Sequence, residues 1–214
     1  QVAGSHKTGF PISHAIMPNG QRIQLLKTLQ TSYCERNCYY CPFRAGRDFH
    51  RATLSADEMA HAFDTLQRGG AVEGMFLSSG IVHGGVTTQD QLLATAEILR
   101  KKYHNTAYLH LKLMPGAQKA QVEAAMLWAD RVSVNLEAPN SKRLELLAPR
   151  KQFMDELLQP LRYAQEIRLT QPEILGWKGH WPSTVTQFVV GAVGESDLEL
   201  LKTTEYVYKR LGLR

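Results

Sequence analysis

The sequence lacks the features that mark secreted, membrane-spanning or disordered chains. It has no apolar run near the roughly 20 residues that a transmembrane helix needs, and no signal-peptide pattern, internal repeat or low-complexity segment. Only three of its 214 residues are cysteine, and all lie between Cys34 and Cys41, so a disulfide framework is excluded. These absences predict a protein of a reducing compartment without membrane contact, and we expect the cytoplasm.

The overall composition is that of a folded globular protein. Hydrophobic residues make up 43% of the chain and charged residues 21%, so a packed core is expected rather than disorder. The net charge of +5 is compatible with contacts to nucleic-acid phosphates. A basic surface that binds nothing is an equally good interpretation of so small an excess.

Short apolar runs alternate with longer helical patterns along the chain. Strands are predicted at residues 23–31, 74–79, 107–113, 131–137 and 185–192. The helices between them include one that opens at a Ser55–Glu58 capping box and one expected to begin near Thr88. Such βα units predict a parallel sheet, either open and doubly wound or part of a (β/α) barrel. Residues 1–22, with several Gly and Pro, are expected to form an extended lead-in to one domain over residues 23–214.

The most informative segment is the cysteine loop, Tyr-Cys-Glu-Arg-Asn-Cys-Tyr-Tyr-Cys-Pro, which directly follows the first predicted strand. Its C-x3-C-x2-C spacing lets Cys34, Cys38 and Cys41 each hold one iron of a [4Fe-4S] cluster. The fourth iron would then lack a protein ligand and could bind a small molecule. The alternative is structural zinc, for which His50 or His83 would have to supply a fourth ligand.

This loop, including Tyr40 before the last cysteine, resembles the signature of the radical S-adenosylmethionine (SAM) superfamily. The resemblance implies that the three cysteines bind the cluster, that SAM chelates the fourth iron, and that reductive cleavage of SAM yields a 5′-deoxyadenosyl radical. It also implies an α/β fold, a partial (β/α)6 barrel similar to a TIM barrel. Five βα units are visible, and the closing strand is expected to be missing through truncation.

Further segments resemble one branch of this superfamily. They are CERNCYYCPFRAGR, FLSSGI, HLKLMPGA, DRVSVNLEAPN, LAPRK and TQFVVGAVGESDLELL, and they span essentially residues 25–214. The branch contains radical SAM proteins of DNA modification or repair, often encoded beside a protein similar to uracil-DNA glycosylase. The resemblance therefore implies a DNA substrate, such a partner, and an electron donor of the flavodoxin or ferredoxin type.

The resemblance also implies a set of residues around SAM, near the carboxyl ends of the strands. Small residues after the second strand would let the backbone approach the SAM ammonium group closely. Polar residues that alternate along the third and fourth strands would face the barrel interior. The expected SAM contacts are Tyr40, Ser78, Ser79, Gly80, Lys112, Ser133, Asn135, Glu137 and Gly191. An unliganded turn, or an internal hydrogen-bond network, would explain several of them equally well.

A basic and aromatic stretch follows the last cysteine. Arg44, Arg47 and Arg51 are interleaved there with Phe43 and Phe49. They could bind phosphate and stack on a base, or they could simply shield the cysteine loop. No residue is predicted to take part in hydrogen-atom transfer, and the catalytic residues therefore stay unknown. Other possible functions are a radical SAM enzyme acting on RNA or a small molecule, and a non-catalytic DNA-binding protein with a structural cluster.

Overall fold

A single six-stranded sheet organises the protein. The computed structural model describes residues 12–16 and 20–213. The strands are β1 (Ile12–Ile16), β2 (Arg22–Leu29), β3 (Gly74–Ser78), β4 (Tyr108–Lys112), β5 (Arg131–Ser133) and β6 (Ser183–Val185). They lie in sequence order across the sheet, β1 antiparallel to β2 and the other neighbours parallel. Over the described residues the sheet is a partial barrel that does not close.

At least one helix follows each of the parallel strands, as the alternating pattern predicts. They are α1 (Ala56–Arg68), α2 (Gly84–Glu97), α3 (Lys119–Trp128), α4 (Ser141–Leu147), α5 (Gln159–Thr170) and α6 (Asp197–Leu211). The capping boxes at Ser55 and Ser196 are both formed, because each hydroxyl accepts an N–H bond and each box Glu bonds back to the cap. None of the described helices is long and apolar enough to cross a bilayer.

The outward face of the sheet forms the hydrophobic core with the helices. Leu26, Met75 and Leu109 are in register on three neighbouring strands, and Leu77 and Leu111 form the next row. All of them are buried in one cluster with residues of the surrounding helices. Removing this much aliphatic surface from water is the main stabilising term of the fold.

The inward face of the same strands is mostly polar. Lys27, Phe76, His110 and Arg131 are in register across four strands, and Lys112 lies two residues beyond His110 on β4. Side chains alternate between the two faces of a strand, so this row and the core leucines come from the same short segments. The carboxyl ends of these strands carry the loops that form the candidate site.

Four local features differ from the sequence-based expectations. Strand β5 ends at Ser133 instead of continuing to residue 137. Helix α2 begins at Gly84 rather than near Thr88, because the left-handed His83 starts it and the Thr88 hydroxyl bonds back to the Gly84 carbonyl. Strand β6 is shorter than the run 185–192 and starts earlier, at Ser183. Within the expected lead-in, β1 adds an antiparallel edge to the sheet. Residues 1–11 and 17–19 of that lead-in lie outside the described residues.

Candidate functional site

The three cysteines lie in the long loop between β2 and α1 and line one cavity. The cavity has a volume of about 680 Å³ and opens at the carboxyl ends of the parallel strands. Cys38 is buried and Cys34 and Cys41 are half-buried, and all three thiols are free of disulfide bonds. Active sites of (β/α) barrels lie at this end of the sheet.

Arg51 holds the cysteine loop in shape. Its guanidinium group donates hydrogen bonds to the backbone carbonyls of Ser32, Phe43, Arg44 and Arg47. Four carbonyls that would otherwise need water are thereby bonded to one planar cation. The geometry supports a structural role for Arg51, the shielding alternative named above, rather than phosphate binding.

The end of β3 packs directly against the cysteine loop. The Gly80 N–H donates to the Thr31 carbonyl at 2.7 Å. A Cβ atom at Gly80 would lie 1.9 Å from the Tyr33 carbonyl oxygen, far inside van der Waals contact. Glycine is therefore required here for backbone approach, in addition to its place in the cavity wall.

The donor set fits a [4Fe-4S] cluster. The Cys34 sulfur accepts N–H bonds from Arg36 and Ile81, each at 3.4 Å, which would stabilise negative charge on a metal-bound thiolate. Burial raises the pKa of the Cys41 thiol, and the nearby Cys38 and Cys34 raise it further. Such a thiol gives up its proton readily only to a metal or another strong positive charge. The cluster would be held by these three sulfurs.

The arrangement does not supply the fourth ligand that structural zinc would need. Neither His50 nor His83, the two candidates for that ligand, lines the cysteine cavity. His83 lines a second, smaller cavity of about 270 Å³ instead of the cysteine cavity. His50 is exposed and lines neither of the two cavities.

Most of the residues expected to contact SAM line the cysteine cavity. They are Tyr40, Ser78, Ser79, Gly80, Lys112, Asn135 and Glu137. The Ser79 hydroxyl is buried and has no hydrogen-bond partner within the described part of the chain, as expected of a group that bonds to a ligand. SAM carries amino, carboxylate and hydroxyl groups that could satisfy it.

Ser133 and Gly191 are not among the described residues that line this cavity. The Ser133 hydroxyl is buried and pairs with the His110 ring at 2.9 Å. Gly191 lies in an exposed turn with φ of +80°, and its N–H donates to the Glu195 carboxylate. Both positions are explained by these local bonds, and their contact with SAM stays a prediction.

Glu137 connects the cysteine loop to the loop after α4. It is buried in left-handed backbone conformation with φ of +65°, and its carboxylate accepts hydrogen bonds from the Tyr40 hydroxyl and the Lys151 ammonium group. Burial, together with the neighbouring Glu137 charge, raises the Tyr40 pKa, so the hydroxyl stays a donor. Sequence analysis did not identify Lys151 as part of the site. The LAPRK segment was the available signal, but its pairing across the cavity is a tertiary contact.

Lys112, at the end of β4, lines the same cavity as Glu137 and is influenced by its charge. Its ammonium group donates to the Asn135 side-chain oxygen. Burial lowers the Lys112 pKa to about 7. The negative charge of Glu137 opposes this shift, and the positive charge of Lys151 adds to it. A lysine with this pKa changes charge near neutral pH and can bind an anion or exchange a proton.

The comparisons with known proteins agree with this site. The sequence model described as the Radical SAM superfamily matches residues 29–207, which include the three cysteines and all the strand ends around the cavity. The chain therefore belongs to the radical SAM superfamily. Enzymes of this superfamily use a [4Fe-4S] cluster and SAM. A sequence search of curated proteins finds no match.

Solved structures resemble the fold at low sequence identity. The FeFe-hydrogenase maturase HydG from Carboxydothermus hydrogenoformans has a TM-score of 0.66 and 16% identity over 88% of this chain. Methylornithine synthase (PylB) has a TM-score of 0.62 and 14% identity over 85%. OxsB, a cobalamin-dependent radical SAM enzyme solved with aqua-cobalamin and SAM bound, has a TM-score of 0.54 and 13% identity over 89%. The chain spans only 42%, 49% and 31% of these proteins, respectively.

Proposed function

We propose that this chain cleaves SAM reductively in the cysteine cavity and directs the resulting radical at a DNA substrate. The observation that carries the proposal is that three thiols and the ends of the parallel strands line one cavity. When bound there, the cluster and SAM would supply one-electron chemistry that no side chain of the chain can provide.

The residues of the chain would bind, orient and shield these groups. Cys34, Cys38 and Cys41 would hold the cluster, and the two N–H groups on the Cys34 sulfur would stabilise its charge. Glu137 fixes the Tyr40 hydroxyl, so the ring has one position at the cavity wall. The Ser79 hydroxyl and the Asn135 amide would orient SAM through hydrogen bonds.

The exposed side chains of the cysteine loop support a nucleic-acid substrate. Tyr33, Tyr39 and Phe49 are exposed on the cysteine loop at 52%, 56% and 46% of their surface. Arg44 lies with its guanidinium carbon 5.6 Å from the Tyr39 ring centroid, and Arg47 is exposed on the same loop. Exposed aromatic rings interleaved with arginine are typical of surfaces that stack unpaired bases. A flavodoxin or ferredoxin as electron donor, a glycosylase-like partner and a cytoplasmic location are further parts of the proposal.

The test is an anaerobic assay of the reconstituted protein with SAM and dithionite. We expect 5′-deoxyadenosine from the wild-type chain and none from Cys38→Ala, with Lys202→Met on the exposed face of α6 as the matched control. Single-stranded DNA should bind in a salt-sensitive manner, stimulate turnover and acquire a mass change. A reconstituted cluster that leaves SAM intact would show a structural role. Turnover stimulated by RNA alone would exclude DNA as the substrate.

A further inference from the structure

The inner face of the sheet carries positive charge below the SAM-binding level. Lys27 on β2 and Phe76 on β3 are in register and line the same cavity as the three cysteines. His110 and Arg131 continue this row on β4 and β5. Residues two apart along a strand face the same side and are separated by about 7 Å, which we call one layer. The row that contains Lys27 and Phe76 therefore lies about one layer below Ser78 and Lys112, and about two layers below Gly80.

These cations have no ion-pair partner among the described residues, although the Glu137 charge acts on Lys112. In the described part of the chain, Lys27, Lys112 and Arg131 take part in no ion pair. The Lys27 ammonium group lies 5.9 Å from the Phe76 ring centroid, and Arg131 donates to the Ser183 hydroxyl at 3.0 Å. Neither contact supplies a negative charge.

Two carboxylates in this region, those of Asp130 and Glu137, form ion pairs with other cations. Asp130, at the start of β5, forms ion pairs with Arg100 and Lys178 at 3.3 and 2.9 Å. Glu137 pairs with Lys151 at 3.3 Å above the row. Lys112 and Arg131 are half-buried and Lys27 is exposed. The inner face therefore has a local excess of positive charge, and Lys27 and Lys112 are within reach of an anion that enters the cavity.

The same cations act on the buried ring of His110. Its ring is neutral in the folded chain, since burial and then the charges of Arg131, Lys112 and Lys27 lower its pKa to about 3. The three cations are therefore close enough to raise the potential at a single point of the inner face. The same positive potential would attract an anion in the cavity beside Lys27.

We propose that the lower part of the cavity binds a phosphate group of the substrate between Lys27 and Lys112. A phosphate dianion would favour the charged form of Lys112, whose pKa is otherwise lowered to about 7. Compact ammonium groups bind phosphate as point charges. Gly80 lies about two layers above Lys27 and one above Lys112, so a phosphate between the two lysines would lie below a SAM molecule held by Ser79 and Gly80. Lys112 would then contact the phosphate in place of its expected contact with SAM. The proposal rests on the proposed function, because it names the group by which the substrate of that same cavity is held.

Binding of a nucleotide and of its phosphate-free analogue tests the proposal. Calorimetry would compare thymidine 5′-monophosphate with thymidine on the reconstituted, SAM-loaded full chain. We expect the nucleotide to bind at least about tenfold more tightly. Lys27→Met should lose this difference, Lys27→Arg should keep most of it, and the surface control Lys202→Met should keep all of it. SAM affinity should be unchanged in all three variants.

Two oligonucleotides distinguish the sources of such a phosphate. A single strand with a 5′-phosphate should bind more tightly than the same strand with a 5′-hydroxyl if the group is a DNA end, and Lys27→Met should remove the difference. Discrimination confined to the mononucleotide would identify a small-molecule substrate and still support the phosphate site. Equal binding of nucleotide and thymidine, or an unchanged difference in Lys27→Met, would overturn it. Formation of 5′-deoxyadenosine without substrate is measured separately, so a failure of SAM cleavage is distinguishable.

Discussion

The two faces of the parallel sheet are built from the same strands and have opposite character. Leu109 and Leu111 on β4 point outward into the core and are almost fully buried. His110 and Lys112, which alternate with these leucines, point inward. On β3, Leu77 is likewise buried in the core and the neighbouring Ser78 lines the cavity. The outward residues determine that the sheet folds, and the inward residues determine what it can bind.

This division places different physical costs on neighbouring residues. A truncated side chain on the outward face leaves a void in a close-packed cluster and lowers stability directly. A change on the inward face alters charge and hydrogen bonding beside a cavity that water can enter, so its effect on binding should exceed its effect on folding. Substitutions at adjacent positions can separate the two faces experimentally.

The largest effect is expected at Gly80, where the end of β3 packs against the backbone of the cysteine loop. In Gly80→Ala the new Cβ would collide with the Tyr33 backbone carbonyl at 1.9 Å, and neither segment can move without displacing the cysteine loop. We expect cluster content and 5′-deoxyadenosine formation to fall more than roughly tenfold. Iron and sulfide analysis after anaerobic reconstitution measures this.

Gly69→Ala is the matched control, because a Cβ there comes no closer than 3.2 Å to the Thr65 carbonyl at the end of α1, away from the cavity. It should retain the cluster. Wild-type iron content in Gly80→Ala would show that the loop adapts to the added methyl group. The close packing of β3 on the cysteine loop would then not be required for cluster binding.

The sequence was sufficient to predict the parts of the molecule that are determined locally. The capping box at Ser55 and the position of the cysteine loop after β2 both follow from adjacent residues, and both are confirmed. The period-two pattern of β4 also predicted which side chains share the inner face, and Lys112 lines the cavity as expected. These features need no knowledge of distant contacts.

The parts that were not predicted depend on tertiary contacts. Pairing of β1 with β2 and the bond from Lys151 to Glu137 join segments whose partners the sequence does not identify. Arg51 appeared as one of several arginines, and only the folded loop shows that it bonds four carbonyls. The early start of α2 depends on left-handed backbone at His83, for which propensity gives no signal.

Leu77→Ala and Ser78→Ala compare the two faces at neighbouring positions. Leu77 is 0% exposed in the core, so its truncation should lower the free energy of unfolding by about 2–5 kcal/mol. Ser78→Ala should change it by less than about 0.5 kcal/mol while weakening SAM binding. Urea unfolding and SAM titration on both variants measure the contrast. A Ser78→Ala protein with unaltered SAM affinity would remove Ser78 from the binding site.

The smallest expected effect concerns the charge of the inner face. The His110 pKa is lowered to about 3 by burial and by Arg131, Lys112 and Lys27, whereas an unfolded histidine has its usual value near 6.5. Between these two values the unfolded chain binds the extra proton and the folded chain does not. Stability contributed by neutral His110 is therefore present above pH 6.5 and is lost as the pH falls towards 3.

His110→Gln removes this proton while keeping a group that can bond to the Ser133 hydroxyl. Between pH 7 and pH 5 the wild-type chain should lose about 2 kcal/mol more unfolding free energy than the variant, from the linkage of one histidine. Urea unfolding at both pH values measures the difference, and carboxylates that titrate in the same range cancel because both proteins contain them. Parallel stability curves would mean that the His110 pKa is the same in the folded and the unfolded chain. The inner face would then hold less positive potential than its three cations imply, and the contrast between the two faces would be one of size and packing alone.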